Sequence, residues 1–197
     1  RSAAAIHTPG TPRTFLAGSA HSIAAAGASA VLVMGFPVLL QATSRDLGAT
    51  GGVIILAVTL TRAPLLVPLT AMQGNLIAHF VDNRRLRALL TPALVLAGLG
   101  TLAVLAAGLL GPWLLRTLFG PEYAASGALL AWLTAGAVAI AFLTLTGAAA
   151  VAAALHRAYA VGWVSATVAA ALLLLLPLDL QTRTIVALMC GPLVGIA

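Results

Sequence analysis

Residues 51–77 read GGVIILAVTLTRAPLLVPLTAMQGNLI, a long apolar run with one charge, Arg62, close to its middle. A helix needs roughly 20 mainly apolar residues to cross a hydrocarbon layer about 30 Å thick. Inside that layer no water pairs the backbone, so only helices and closed barrels can span it. Barrel strands alternate apolar and polar residues over about ten positions. This run does neither, being too long and too continuous. The fold class that follows is all-α: a polytopic transmembrane helical bundle.

The rest of the chain repeats the pattern. Residues 22–43, 89–110, 127–155 and 158–177 are further runs of spanning length, and another begins at Thr184 and continues to Ala197, about six spans in all. The chain is 61% hydrophobic and 7% charged, with a mean hydropathy of +1.10, against about 25% charged residues in soluble domains. Ten basic and four acidic residues make up the charge, and all but Arg62 fall between the runs. A charge in hydrocarbon costs at least about 2.5 kcal/mol, so one that stays within a span is a functional candidate by default.

The net charge of +6 is carried wholly by arginine. In a soluble chain it would suggest nucleic acid; beside membrane spans it sets orientation, because Lys and Arg are held on the cytoplasmic side. With residues 1–21 as a cytoplasmic lead-in, Arg1, Arg13, Arg84, Arg85, Arg87 and Arg157 lie inside and Arg45, Arg116 and Arg183 outside. Both ends are then cytoplasmic, in a plasma membrane. Pro9, Gly10 and Pro12 suit a flexible linker between two halves of a protein. The first residue is Arg1 and the last, Ala197, sits in an apolar run, as expected of a piece of a longer product. Residues 22–197 form the bundle.

Local chemistry adds detail. Small residues crowd the first span (Ala24 to Ala30), which lets helices approach closely, and Pro37 is expected to kink its outer end. Gly191 and Gly195 form a possible close-packing pair. The gap at 111–126 holds Trp113, Phe119 and a Gly120-Pro121 break, read as a short interfacial half-helix ending at Gly120. Trp132 and Trp163 fit an aromatic belt at the membrane surface. Cys190 is alone, so it offers neither a disulfide nor a metal site. His7, His21, His79 and His156 have no metal-ligand spacing, and Asp46, Asp82, Glu122 and Asp179 lie in four different gaps. No phosphate-cradling glycine loop is present. No cofactor and no enzymatic activity are expected.

Arg62 has two readings. Either the true span starts after it, leaving residues 51–61 re-entrant and Arg62 at a headgroup, or it faces a central cavity and pairs with an anion through its guanidinium fork. Pro64 and Pro68 are expected to break the helix just beyond it. Gln73, eleven residues on, falls about 20° from Arg62 around an ideal helix and shares its face. On the cavity reading these two residues bind substrate, and Arg62→Ala leaves folding largely intact.

The span order, Thr61-Arg62-Ala63-Pro64, Leu118-Phe119-Gly120-Pro121-Glu122-Tyr123 and Gly191-Pro192-Leu193 together resemble the polysaccharide (O-antigen type) flippases, within the superfamily of multidrug, oligosaccharidyl-lipid and polysaccharide exporters. The resemblance runs from about Phe15 to Ala197 and implies the second six-helix lobe of a two-lobe transporter. It also implies alternating access that moves a bacterial cell-envelope precursor, an anionic lipid-linked oligosaccharide, across the membrane, with Arg62 as a cavity cation. The partners expected are the bilayer, that glycan lipid and an N-terminal lobe. An ion-coupled exporter of small molecules and a non-transporting scaffold subunit of an envelope-building complex are the alternatives. The first is disfavoured by the lack of an intramembrane acid, the second by a midplane cation without a ligand.

Overall fold

The computed structural model describes residues 12–44, 47–83 and 87–197. Among them are seven helices and no strand: α1 (Pro12–Val33), α2 (Phe36–Ala42), α3 (Gly48–Asp82), α4 (Arg87–Phe119), α5 (Gly127–Ala152), α6 (His156–Leu173) and α7 (Leu180–Ile196). The bundle is membrane-embedded in character. Helices α3, α4 and α5 are long and apolar enough to span, and α1 with α2 makes a fourth if the bent pair counts as one span. At 18 and 17 residues, α6 and α7 are shorter. Residues 1–11 of the expected lead-in, with Arg45, Arg84 and Arg85, lie outside the described residues. Helix α1 starts at Pro12, so it begins within the segment read as a lead-in.

Helix α5 is the centre. It is apolar on every side, as a helix surrounded by others must be, and it packs against α3, α4 and α7, while α1 packs on α6 and α6 on α7. Small residues set these approaches. A methyl on Gly136 of α5 would stand 2.9 Å from the Leu188 side chain of α7, and one on Gly111 of α4 would meet Leu130 of α5. The pair Gly191 and Gly195 does pack closely, against α6 at Ala166, Ala170 and Gly162. Hydroxyls inside the helices turn back to the preceding turn, as Thr59, Thr101 and Thr144 do to Ile55, Ala97 and Ile140, which hides a donor that lipid cannot pair. Thr167 also reaches across from α6 to the Ala28 carbonyl of α1 at 2.9 Å.

Helix ends follow local chemistry. Ser126 caps α5 by accepting from the Leu129 N–H at 3.1 Å, and the exposed Asp179 caps α7 through the Thr182 N–H at 3.0 Å. The hydrogen bonds from Thr182 hold the Asp179 carboxyl below its usual range. Helix α4 stops at Gly120, whose φ of +106° is open to glycine and strained for other residues. After α5 the chain closes with Leu155 N–H on the Ala150 carbonyl and Ala154 N–H on Val151, a Schellman motif. Ala154 carries the left-handed φ of 58° there without being glycine.

The bend expected at Pro37 is present, as a break at Met34-Gly35 that turns the chain by 70°. Three expectations are corrected. Pro64 and Pro68 do not break α3, which runs unbroken through both; each removes one hydrogen bond from a 35-residue helix held along α5, and the rest of the ladder and the packing outlast that loss. For the same reason Trp113 to Phe119 are the last turns of α4, not a separate half-helix, with Pro112 inside the helix. Trp163 is not at a membrane surface belt. It is 4% exposed in the core, fitted with Tyr159 over the bare backbone of Gly147, whereas Trp132 is exposed.

Candidate functional site

The break between α1 and α2 and the charge on α3 explain each other. A regular helix through 30–40 would give the Leu32 carbonyl the Phe36 N–H and the Val33 carbonyl the N–H of residue 37. Residue 37 is proline and has none. Instead Met34 and Gly35 both donate to the Ala30 carbonyl, at 2.8 and 2.9 Å, and Gly35 becomes the N-cap of α2 with Pro37 in its first turn. Gly35 is needed there: a Cβ would lie 2.9 Å from the Val31 carbonyl oxygen. Two carbonyls at the end of α1 are thus left without helical donors.

Arg62 supplies them. Its Nη1 donates to the Leu32 carbonyl at 3.1 Å and to the Val33 carbonyl at 2.9 Å, and its guanidinium carbon sits 4.9 Å from the centre of the Phe36 ring. A cation over an aromatic face in a dry site gains about 2 kcal/mol. The residue is 5% exposed and lies well inside α3, so the helix does not begin at this arginine. The guanidinium is only partly satisfied, however: Nε and Nη2 are buried with no hydrogen-bond partner. An arginine has five N–H donors in a fixed fork. Those left over are the ones that a bidentate anion takes.

Gln73 is not part of this cluster. It is half-buried on α3, about 16 Å from Arg62 along the helix axis, so the two residues share a face without meeting around one small group. Phe36 and the Leu32 and Val33 carbonyls escaped sequence reasoning. The available signal was Pro37, whose missing N–H frees an acceptor four residues back.

A second arginine does similar work at the other end of α2. Arg183, in the first turn of α7, donates from Nη1 to the Thr43 and Leu174 carbonyls, both at 3.3 Å, and from Nη2 to the Ser44 hydroxyl at 2.6 Å. It ties the C-termini of α2 and α6 to α7, where a cation complements the helix dipoles. Replacing Arg183 by Ala is expected to lower bundle stability by about 1–3 kcal/mol; a midpoint unchanged in detergent unfolding of that variant would contradict it.

Two concave regions flank α3. One, of about 500 Å³, lies where α3 meets α4 and includes His79, Asn83, Arg87 and Thr91. The other, about 350 Å³, lies between α3, α4 and α5 and is almost wholly aliphatic. Thr61 and Pro64 line the second, but the Arg62 guanidinium is turned away from it toward α1 and α2. Among the described residues, no group of three His, Cys, Asp or Glu is placed to hold a metal ion.

Comparison with known proteins gives mycobacterial relatives described as uncharacterized. An uncharacterized protein of Mycobacterium bovis is 73% identical over 198 residues, covering 100% of this chain and 46% of that protein. Two uncharacterized proteins of Mycobacterium tuberculosis are 73% identical over 198 residues and 74% over 199, again covering 46% of each. The chain therefore spans about half the length of the curated relatives it matches. No family profile matches it, and no solved structure does.

Proposed function

We propose that this chain is one helical bundle of a membrane transporter that passes a lipid-linked oligosaccharide across the plasma membrane by alternating access, with Arg62 reading the pyrophosphate. What carries the reading is the buried Arg62 with Nε and Nη2 unpaired. Leaving such donors dry costs about 1–3 kcal/mol each, a cost that an arriving phosphate removes. The α1–α2 break next to it places the cation where backbone carbonyls have already left the helix ladder, as in cavities built from discontinuous membrane helices. The resemblance to polysaccharide flippases supports the same substrate class. The test is transport of a fluorescent pyrophosphate-linked isoprenoid sugar by the whole protein in liposomes; movement of the lipid no faster than in empty liposomes overturns the proposal.

The orientation belongs to this reading. Both ends and the segment from Asp82 to Arg87 are assigned to the cytoplasm on the excess of arginine there. A reporter active only in the cytoplasm, fused after Arg87, is expected to be active, and one active only outside is expected to be silent. The reverse pair of results inverts the topology.

A further inference from the structure

We infer that the cleft between the end of α3 and the start of α4 is a binding site for a phosphate group, carried by a lipid headgroup or free in solution. The inference does not rest on the transport reading: His79 is about 25 Å from Arg62 along α3, and Arg62 is not among the residues that line this cleft of about 500 Å³. Two pairs of residues at helical spacing line it, His79 and Asn83 at the end of α3 and Arg87 and Thr91 at the start of α4. Residues four apart stand on one side of a helix, so each pair meets the same opening. Leu76 and Pro92 form its apolar wall.

The lining specifies an anion. Arg87 brings five N–H donors in a fixed fork, and the His79 ring, the Asn83 amide and the Thr91 hydroxyl can each donate. No carboxylate lines the cleft, although Asp82 precedes Asn83 in the chain. The Thr91 hydroxyl is uncommitted: Thr101 and Thr117 of the same helix turn back to the Ala97 and Trp113 carbonyls at 2.8 Å, whereas Thr91 makes no such bond. Two other donors are placed in advance. The Asn83 amide is held to the His79 carbonyl at 3.3 Å, and the His79 ring stands edge-on to the ring of the buried Phe80, 5.6 Å away. The dipole at the start of α4 favours negative charge there as well. A phosphate suits this set because, once the Arg87 fork has taken two oxygens, another remains for the donors of α3. Both helices end here, at the depth of lipid phosphates, and basic pockets between membrane helices hold such headgroups. Setting orientation would need only the charge of Arg87, not the donors around it.

The experiment is calorimetric titration of the whole protein in detergent with a short-chain phosphatidylglycerol, with inorganic phosphate, and with a short-chain glycolipid that lacks phosphate. At least one of the two phosphate compounds is expected to bind, and the phosphate-free lipid is not. Tighter binding of the phosphatidylglycerol identifies the source as a headgroup, and inorganic phosphate binding as tightly identifies it as a soluble phosphate. Arg87→Gln is expected to weaken binding by roughly tenfold, and Thr91→Val, which breaks no bond of the fold, by roughly threefold. Arg116→Gln removes an exposed arginine at the other end of α4 and is expected to leave binding unchanged. Failure of both phosphate compounds to bind overturns the inference, as does equal binding of the phosphate-free lipid. Parent-like affinity in folded Arg87→Gln or in Thr91→Val also overturns it, as does an equal loss in Arg116→Gln, which would describe attraction to net charge alone.

Discussion

Arg62→Ala should abolish transport and loosen the bundle together, while Arg62→Lys should keep the bundle and lose the transport. The first half departs from what the sequence alone implied. With an unpaired cation in an empty cavity, truncation would cost the fold little. The Nη1 bonds to Leu32 and Val33 change that balance. Removing them leaves two buried carbonyls that Pro37 and the turned backbone cannot satisfy, and it strips the cation from the Phe36 ring. Hydrogen bonds between membrane helices average about 0.6 kcal/mol, yet an orphaned buried acceptor costs about 1–3 kcal/mol. A loss of roughly 1–3 kcal/mol is therefore expected, read as an earlier midpoint in detergent unfolding.

Lysine separates the two roles because one nitrogen, Nη1, makes both carbonyl bonds. An ammonium has three donors on a flexible stem and can replace that nitrogen, but it has nothing in place of Nε and Nη2. Those are the donors left for a phosphate fork. Arg62→Lys is thus expected to unfold within about 1 kcal/mol of the parent and to transport at less than about a tenth of its rate. Parent-like transport by the Lys variant would sink the phosphate assignment and leave the helix-capping role standing. An Ala variant with an unchanged midpoint would sink the capping role instead.

The contrast shows what was legible in the chain. Runs such as 51–77 and 127–155 announce spans because lipid forbids alternatives, and the helices follow them closely. Arg62 stood out for the same reason. Its partners did not, because the effect of Pro37 is expressed at Val33, and the donor that answers it comes from another helix, 29 residues further along the chain. The prolines of α3 misled in the opposite direction: propensity sees a broken ladder, while the contact with α5 that holds it together is tertiary. Trp163 shows the same limit. Its place in the core depends on Gly147, sixteen residues away and on a different helix.

Close packing at α6 and α7 yields the other large effect, and its sign can be tested against a control. A methyl on Gly162 would stand 2.8 Å from the Gly195 carbonyl oxygen, and one on Gly191 would stand 2.8 Å from Ala170 Cβ and 2.9 Å from the Ala166 carbonyl oxygen. The obstacles include backbone atoms, which cannot rotate aside, so the helices themselves must part. Gly191→Ala and Gly162→Ala are each expected to cost about 1–3 kcal/mol, although Ala is the better helix former. Gly98 on α4 has no atom within 4 Å of an added Cβ, and there the same substitution should stabilise by about 0.5–1 kcal/mol. Gly162 and Gly195 each face the other's carbonyl oxygen, so the second methyl enters a gap that the first has opened. The double variant Gly162→Ala with Gly195→Ala is then expected to lose about 0.5 kcal/mol or more less than the sum of the single losses. Unfolding midpoints of the parent, the four single variants at Gly98, Gly162, Gly191 and Gly195, and the double variant in one detergent series decide it: strictly additive losses, or a Gly191→Ala variant as stable as Gly98→Ala, would mean that the α6–α7 seam is looser than the backbone positions require.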